Sequence, residues 1–152
     1  KTASLLSSAC RIGGIVAGLP RPEIDALTDF GLAYGMAFQI VDDILDVVAT
    51  DEQLGKPAGH DLVEGAYNLP VLRALAGPTG DELASLLGAP IGGETWERAR
   101  TLVRQSTGVA ESVEVAQTYS DRAVAALEPL SDRPSASALQ GAARHLLSSL
   151  DT

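Results

Sequence analysis

The sequence predicts an all-α fold. Three observations carry that prediction. Ala, Leu, Gly and Ser dominate the composition while aromatic residues make up only 4%. Runs of β-branched residues are scarce, and no stretch alternates apolar with polar residues as a half-buried strand does. Small, flexible-backbone and straight-chain residues of this kind favour closely packed helices. With 152 residues, 45% of them hydrophobic and 20% charged, the chain is long enough for one all-helical domain with a sizeable core and too apolar for extended disorder.

Breakers divide this helical sequence into elements. The first helix is expected over Lys1–Ala17, stopped by Gly18-Leu19-Pro20. Arg21-Pro22 opens a second, with proline at a favoured first-turn position. It continues to Val48, interrupted only by Gly31 and Gly35. A polar, glycine-rich loop follows over Thr50–Asn68, then a short helix from Pro70 to Gly77-Pro78. Further helices are expected over Asp81–Leu87, Glu94–Gln105, Val109–Leu127 and Ser135–Leu150, with joints at Gly88 to Gly93, at Gly108 and at Pro129 to Pro134. No internal repeat or low-complexity tract stands out.

The formal net charge of −9 argues against nucleic acid or an anionic membrane surface as a partner. An anionic ligand stays possible, because a few placed cations or a bound metal invert a local field. Lys1 and Lys56 are the only lysines; the other nine basic residues are arginines. Cys10 is the single cysteine, so no internal disulfide forms and a cytoplasmic location is expected. It lies among apolar residues and is expected to act as a small buried hydrophobe. No run of apolar residues is long enough for a transmembrane span, and no signal peptide is recognisable. The chain lacks an initial Met and opens inside a motif, as a piece of a longer protein would.

The informative segment is Phe38-Gln39-Ile40-Val41-Asp42-Asp43-Ile44-Leu45-Asp46. On a helix, at about 100° per residue, Gln39, Asp42, Asp43 and Asp46 fall within an arc of roughly 100°. Phe38, Ile40, Val41, Ile44, Leu45, Val47 and Val48 occupy the rest of the circumference, which marks a core helix. Its carboxylates must then look into a wet cavity or at cations. Three of them this close repel one another, and burial raises their pKa unless a metal compensates. Oxygen ligands on a rigid helix suit Mg²⁺, which keeps several waters and binds through a few carboxylates plus substrate phosphates. An acidic string can also simply decorate an exposed helix; the mid-helix position and apolar surround favour metal.

Cations to face such a cluster are few. Lys56 lies in Leu54-Gly55-Lys56-Pro57-Ala58-Gly59, ten residues beyond Asp46, and Lys1-Thr2 opens the chain. Each alone reads as a surface charge; lysine against phosphate becomes meaningful only in combination with the carboxylates. Asp61 and Glu64 follow in the same loop and suit ordering of Lys56 or capping of the next helix. His60 in that loop and His145 on the last helix are expected to be solvated.

Taken in order, Lys-Thr-Ala-Ser-Leu, Phe-Gln-x-x-Asp-Asp-x-x-Asp, Gly-Lys-Pro, Asp-Leu-x-x-Gly and Leu-Pro-Val-Leu resemble the trans-isoprenyl diphosphate synthases. The resemblance covers about residues 1–76 and leaves 77–152 as a variable helical tail. It implies the C-terminal half of the isoprenoid-synthase helical bundle. It also implies Mg²⁺-assisted departure of diphosphate from an allylic substrate, attack by the double bond of isopentenyl diphosphate, and loss of a proton. By the same resemblance Asp42, Asp43 and Asp46 form the second aspartate-rich cluster and bind Mg²⁺, Lys1 and Lys56 clamp the leaving diphosphate, and Thr2 and Gln39 line the pocket.

Two departures matter. The family often carries Gly-Lys-x-Thr-Leu-Pro where this chain has Gly65-Ala66-Tyr67-Asn68-Leu69-Pro70, so Ala66 removes one cation. No other DDxxD occurs; Asp51-Glu52 and Asp81-Glu82 lack the third carboxylate. The first cluster and the isopentenyl-binding residues of the family lie upstream of Lys1. The chain is therefore expected to be inactive alone, to need the missing N-terminal half, and to self-associate, as a homodimer or otherwise, through uncovered apolar surface. A non-catalytic helical subunit that modifies a partner synthase is the alternative. A terpene cyclase fragment fits less well, given the Lys-Thr and Gly-Lys-Pro signatures.

Overall fold

The structure is a computed structural model that describes residues 1–50, 62, 65–87 and 93–150. Every regular element among the described residues is helical: α1 (Thr2–Val16), α2 (Arg21–Val48), α3 (Leu69–Leu75), α4 (Gly80–Leu87), α5 (Glu94–Gln105), α6 (Gly108–Ala126) and α7 (Pro134–His145), with 3₁₀ turns at Glu128–Leu130 and Leu146–Leu150. The expected helices are all present, within two residues at their starts. The last one differs. It stops at His145 and tightens into a 3₁₀ turn, where Ser148 Oγ donates to the His145 carbonyl at 2.6 Å and Ser149 Oγ to that of Leu146 at 2.8 Å. Serine hydroxyls competing for helix carbonyls end regular α-geometry in this way.

The chain divides into two compact units, one formed by Lys1–Val41 with Val115–Thr152, the other by Asp42–Glu114. In the first unit α1 and α2 form an antiparallel pair. α1 is stopped by Gly18 at φ 66°, a conformation costly for any residue with a Cβ, and the Leu19 amide returns to the Gly14 carbonyl at 3.1 Å. The two helices then meet through small residues. A Cβ at Gly31 would stand 2.7 Å from the Leu6 carbonyl oxygen, and one at Gly35 would stand 2.6 Å from the Ala3 Cα. The two glycines expected only to interrupt α2 are the places where α1 lies against its backbone.

The core of this unit gathers Ala26, Phe30 and Ala33 of α2 with Ala123, Leu127, Leu130, Ala136 and Ala143. Phe30 stacks on Tyr34 at 5.6 Å between ring centroids. Buried Ser120 donates to the Ala143 carbonyl at 2.8 Å, which satisfies a polar group in an otherwise apolar contact. Cys10 packs against this core half-buried, and burial pushes its thiol above the ordinary value, which disfavours the thiolate.

The second unit has its own core, in which Val47 and Leu62 meet Val71, Ala74, Leu83, Leu87, Ala99, Leu102 and Val103. Its short α3 holds because Asn68 caps it, accepting from the Val71 amide at 3.4 Å, and because Pro70 occupies the first turn. Amphipathic α5 buries Ala99, Leu102 and Val103 while Arg98 on its outer side pairs with Glu82 of α4 at 2.5 Å. None of the described helices is long and apolar enough to cross a membrane.

Candidate functional site: the aspartate helix

In the first unit the expected pocket residues Thr2 and Gln39 are brought together: Thr2 Oγ1 donates to Gln39 Oε1 at 2.7 Å across the two helices. The physical reason is the glycine contact just described. With Ala3 against Gly35, the start of α1 is drawn to the turn of α2 that carries Gln39. Lys1 is the exposed N-cap of α1, and its carbonyl accepts from the Leu5 amide and the Ser4 hydroxyl, leaving the ammonium outside the helix.

The second unit begins with the aspartates. Burial rises along the last turns of α2: Asp42 is exposed, Asp43 is half-buried and Asp46 is only 4% exposed. Ile44 and Val47 are deeply buried beside them, and Leu45 and Val48 partly so. Ile40 and Val41, in the first unit, are buried as well; Phe38 departs from the expected pattern at 44% exposed. Asp46 therefore belongs to the core side of the helix while Asp42 reaches solvent.

Two supports for this stretch were not evident from the sequence. Asn68 Nδ2 donates to the Asp43 carbonyl at 3.4 Å, so the residue that caps α3 also ties that helix to the aspartate turn. The second support is a pair of arginines from α5. Arg100 Nε donates to the Val47 carbonyl at 2.8 Å and its Nη2 to that of Ala49; Arg104 Nε donates to the same Val47 carbonyl at 2.9 Å and its Nη2 to that of Val48. The last carbonyls of a helix lack intrahelical donors and carry partial negative charge, so two guanidinium forks suit them. Arg100 is buried, and Trp96 stacks on it at 5.3 Å from the ring centroid. The signal was an i, i+4 arginine pair on an amphipathic helix, a pattern that ordinarily marks a solvated face.

Among the described residues, no three side chains of His, Cys, Asp or Glu converge into a group able to hold a metal by themselves. This still fits Mg²⁺, which takes one or two carboxylates and completes its shell with water and phosphate oxygens rather than a protein cage. Asp42, open to solvent, and Asp46, set in the core, offer such a partial oxygen set on one rigid helix. Lys56 lies outside the described residues, as do His60, Asp61 and Glu64.

The profile of the family described as Polyprenyl synthetase matches residues 1–103, and the chain belongs to that family. Curated relatives include component 2 of the heptaprenyl diphosphate synthase of Geobacillus stearothermophilus, 41% identical over 86% of this chain and 41% of the relative. The octaprenyl diphosphate synthase of Escherichia coli is 38% identical over 94% of this chain and 45% of its own length. Among solved structures, geranylgeranyl pyrophosphate synthase of Corynebacterium glutamicum, complexed with calcium and isoprenyl diphosphate, superposes with a TM-score of 0.88 at 38% identity. That match covers 97% of this chain and 47% of that protein. The chain thus spans less than half the length of these relatives.

Proposed function

We propose that this chain is the part of a trans-prenyl diphosphate synthase that supplies the second aspartate cluster. The whole enzyme would condense isopentenyl diphosphate with an allylic diphosphate into a longer trans-prenyl diphosphate. The observation that supports this most is the placement of Asp42, Asp43 and Asp46 at the end of a continuous 28-residue helix, part of it buried in a core. Asp42 would hold Mg²⁺ directly, and Asp43 and Asp46 directly or through water. When bound, Mg²⁺ supplies Lewis-acid stabilisation of the leaving diphosphate.

The remaining roles belong to the chain's own side chains. Lys1 and Lys56 would clamp the diphosphate oxygens as point charges. Thr2 and Gln39, already paired, would orient oxygen dipoles toward the positive charge that develops on the allylic carbon. An apolar stripe on α1, formed by Leu5, Ile12 and Val16, is exposed and supports association with the upstream half or with a second copy. A single half-buried thiol agrees with a reducing, cytoplasmic setting.

Offered Mg²⁺, isopentenyl diphosphate and an allylic diphosphate, the 152-residue chain alone is expected to give no elongation, while the chain joined to the upstream half of a relative elongates. Robust turnover by the chain alone would sink the half-site reading; turnover of the joined protein that survives Asp42→Asn would sink the metal role. A second reading, a helical subunit acting through a partner, is favoured by one observation: two relatives are named as component 2 of a heptaprenyl diphosphate synthase. Restored elongation on mixing this chain with an inactive partner, without covalent joining, would select it.

A further inference from the structure

We infer that Arg100 and Arg104 are positioning residues for the aspartate cluster, acting by clamping the final turn of α2 and so fixing the Asp46 carboxylate for a divalent cation. The inference rests on the metal reading of that cluster. Val47, the next residue after Asp46, has its carbonyl held by both guanidiniums, and the carbonyls of Val48 and Ala49 take the second arm of each fork.

A helix end ordinarily frays, because its last carbonyls find only water. Here the end is tied to α5 by four charge-assisted bonds, and α5 is anchored in the core through Ala99, Leu102 and Val103. Asp46 lies in the turn so fixed and is itself buried, so loosening of that turn moves its carboxylate. Arg100 is buried with its guanidinium on Trp96, a cost in desolvation that a surface arginine does not bear. Lysine in either place would keep the charge and lose the fork. That distinction separates clamping from simple electrostatics: removing positive charge near carboxylates by itself strengthens cation binding, whereas loss of the fork at constant charge weakens it.

The test is a Mn²⁺ titration of the 152-residue chain, followed by electron paramagnetic resonance, for the unsubstituted chain, Arg100→Lys, Arg104→Lys and Arg98→Lys. Arg98, on the same helix as the two clamp arginines, pairs with Glu82 of α4 and touches none of the α2 carbonyls, so its variant reports general weakening of α5. All are compared below their thermal transitions, where each is folded by circular dichroism. The clamp variants are expected to bind Mn²⁺ about tenfold more weakly, the range for residues that orient ligands indirectly. Arg98→Lys should keep the parent affinity. Clamp variants that bind as the parent does, or that lose no more than Arg98→Lys, overturn the clamp and leave the metal site standing. Absence of Mn²⁺ binding by the parent, or binding untouched by an added Asp42→Asn, overturns the metal reading and the clamp with it. Binding lost in Asp42→Asn but untouched by Asp46→Asn overturns the clamp alone.

Discussion

The two stretches of α2 are held by opposite means. Its N-terminal stretch is held by the absence of side chains, with Gly31 and Gly35 letting the α1 backbone come into direct contact. Its C-terminal stretch is held by two of the longest side chains available, reaching from α5 to the terminal carbonyls. Mid-helix carbonyls are already bonded within the helix, so only van der Waals contact is left to make, and that contact is best when nothing protrudes. Terminal carbonyls are unbonded, so donors bring more than contact does. The chemistry of each stretch follows from where it lies in the helix.

The comparison breaks first at the glycines. A methyl group at Gly31 would meet backbone at 2.7 and 2.8 Å, and backbone cannot swing aside as a side chain can. Gly31→Ala should therefore destabilise the chain by about 1–3 kcal/mol, the usual cost of overpacking, although alanine is the better helix former. Gly13 of α1 has nothing within 4 Å of its would-be Cβ. Gly13→Ala should accordingly raise stability by about 0.5–1 kcal/mol. Thermal unfolding by circular dichroism reads both. Equal and positive shifts for the two variants would show that α1 does not approach α2 as closely as these distances require. The Thr2–Gln39 bond gives a second readout, since Gly35→Ala should break it by pushing Ala3 away.

At the other stretch Arg100→Met keeps most of the buried stem but removes the bonds to Val47 and Ala49. A hydrogen bond to a charged group contributes about 1.5–3 kcal/mol, and stem burial is retained, so a loss near the lower end is expected. Hydrogen exchange should localise it, with faster amides in the last turn of α2. A smaller effect belongs to Asn68→Ala, which removes the α3 cap and the bond to Asp43, at about 1 kcal/mol. Unchanged protection over Leu69–Leu75 in that variant would mean that Pro70 and core packing alone hold α3.

The legible part of the molecule was local. Helices were legible because Gly18, Pro22, Pro70 and Pro134 punctuate them, and breakers act within a turn of where they stand. That one helix carries all three aspartates was legible, because helical period is a local rule; that Asp46 lies on the core side while Asp42 reaches solvent was not. What sequence did not disclose was long-range. Gly31 and Gly35 read only as interruptions of α2, since a glycine's reason lies in a neighbour 24 to 32 residues away. Arg100 and Arg104 did not stand out, since their acceptors lie more than 50 residues earlier. The exposure of Phe38 was likewise unforeseen, because period assigns a face but not a cover. Backbone acceptors have no letter in the sequence, so a side chain that serves them leaves no motif.

The smallest expected effect tests whether charge adds anything to the glycine-held pair of helices. Asp25 of α2 receives Arg21 Nε at 2.9 Å and Arg11 of α1 at 3.2 Å. The hydrogen bond from Arg21, with that from Arg11 and the charges of both, holds its carboxyl below the ordinary value of 3.8. A carboxyl depressed in the folded state contributes stability that is complete above the unfolded value and is lost as pH falls through the folded one. The contribution should therefore be constant at neutral pH and vanish only below that ordinary value. The groups are solvent-exposed and screened, so Asp25→Asn should lower the neutral melting temperature slightly, less in high salt, and flatten the acid limb of the pH–stability curve. If Asp25→Asn instead matched Gly31→Ala in its effect, the pairing of α1 with α2 would rest on charge, and the contrast between the two stretches of α2 would fail.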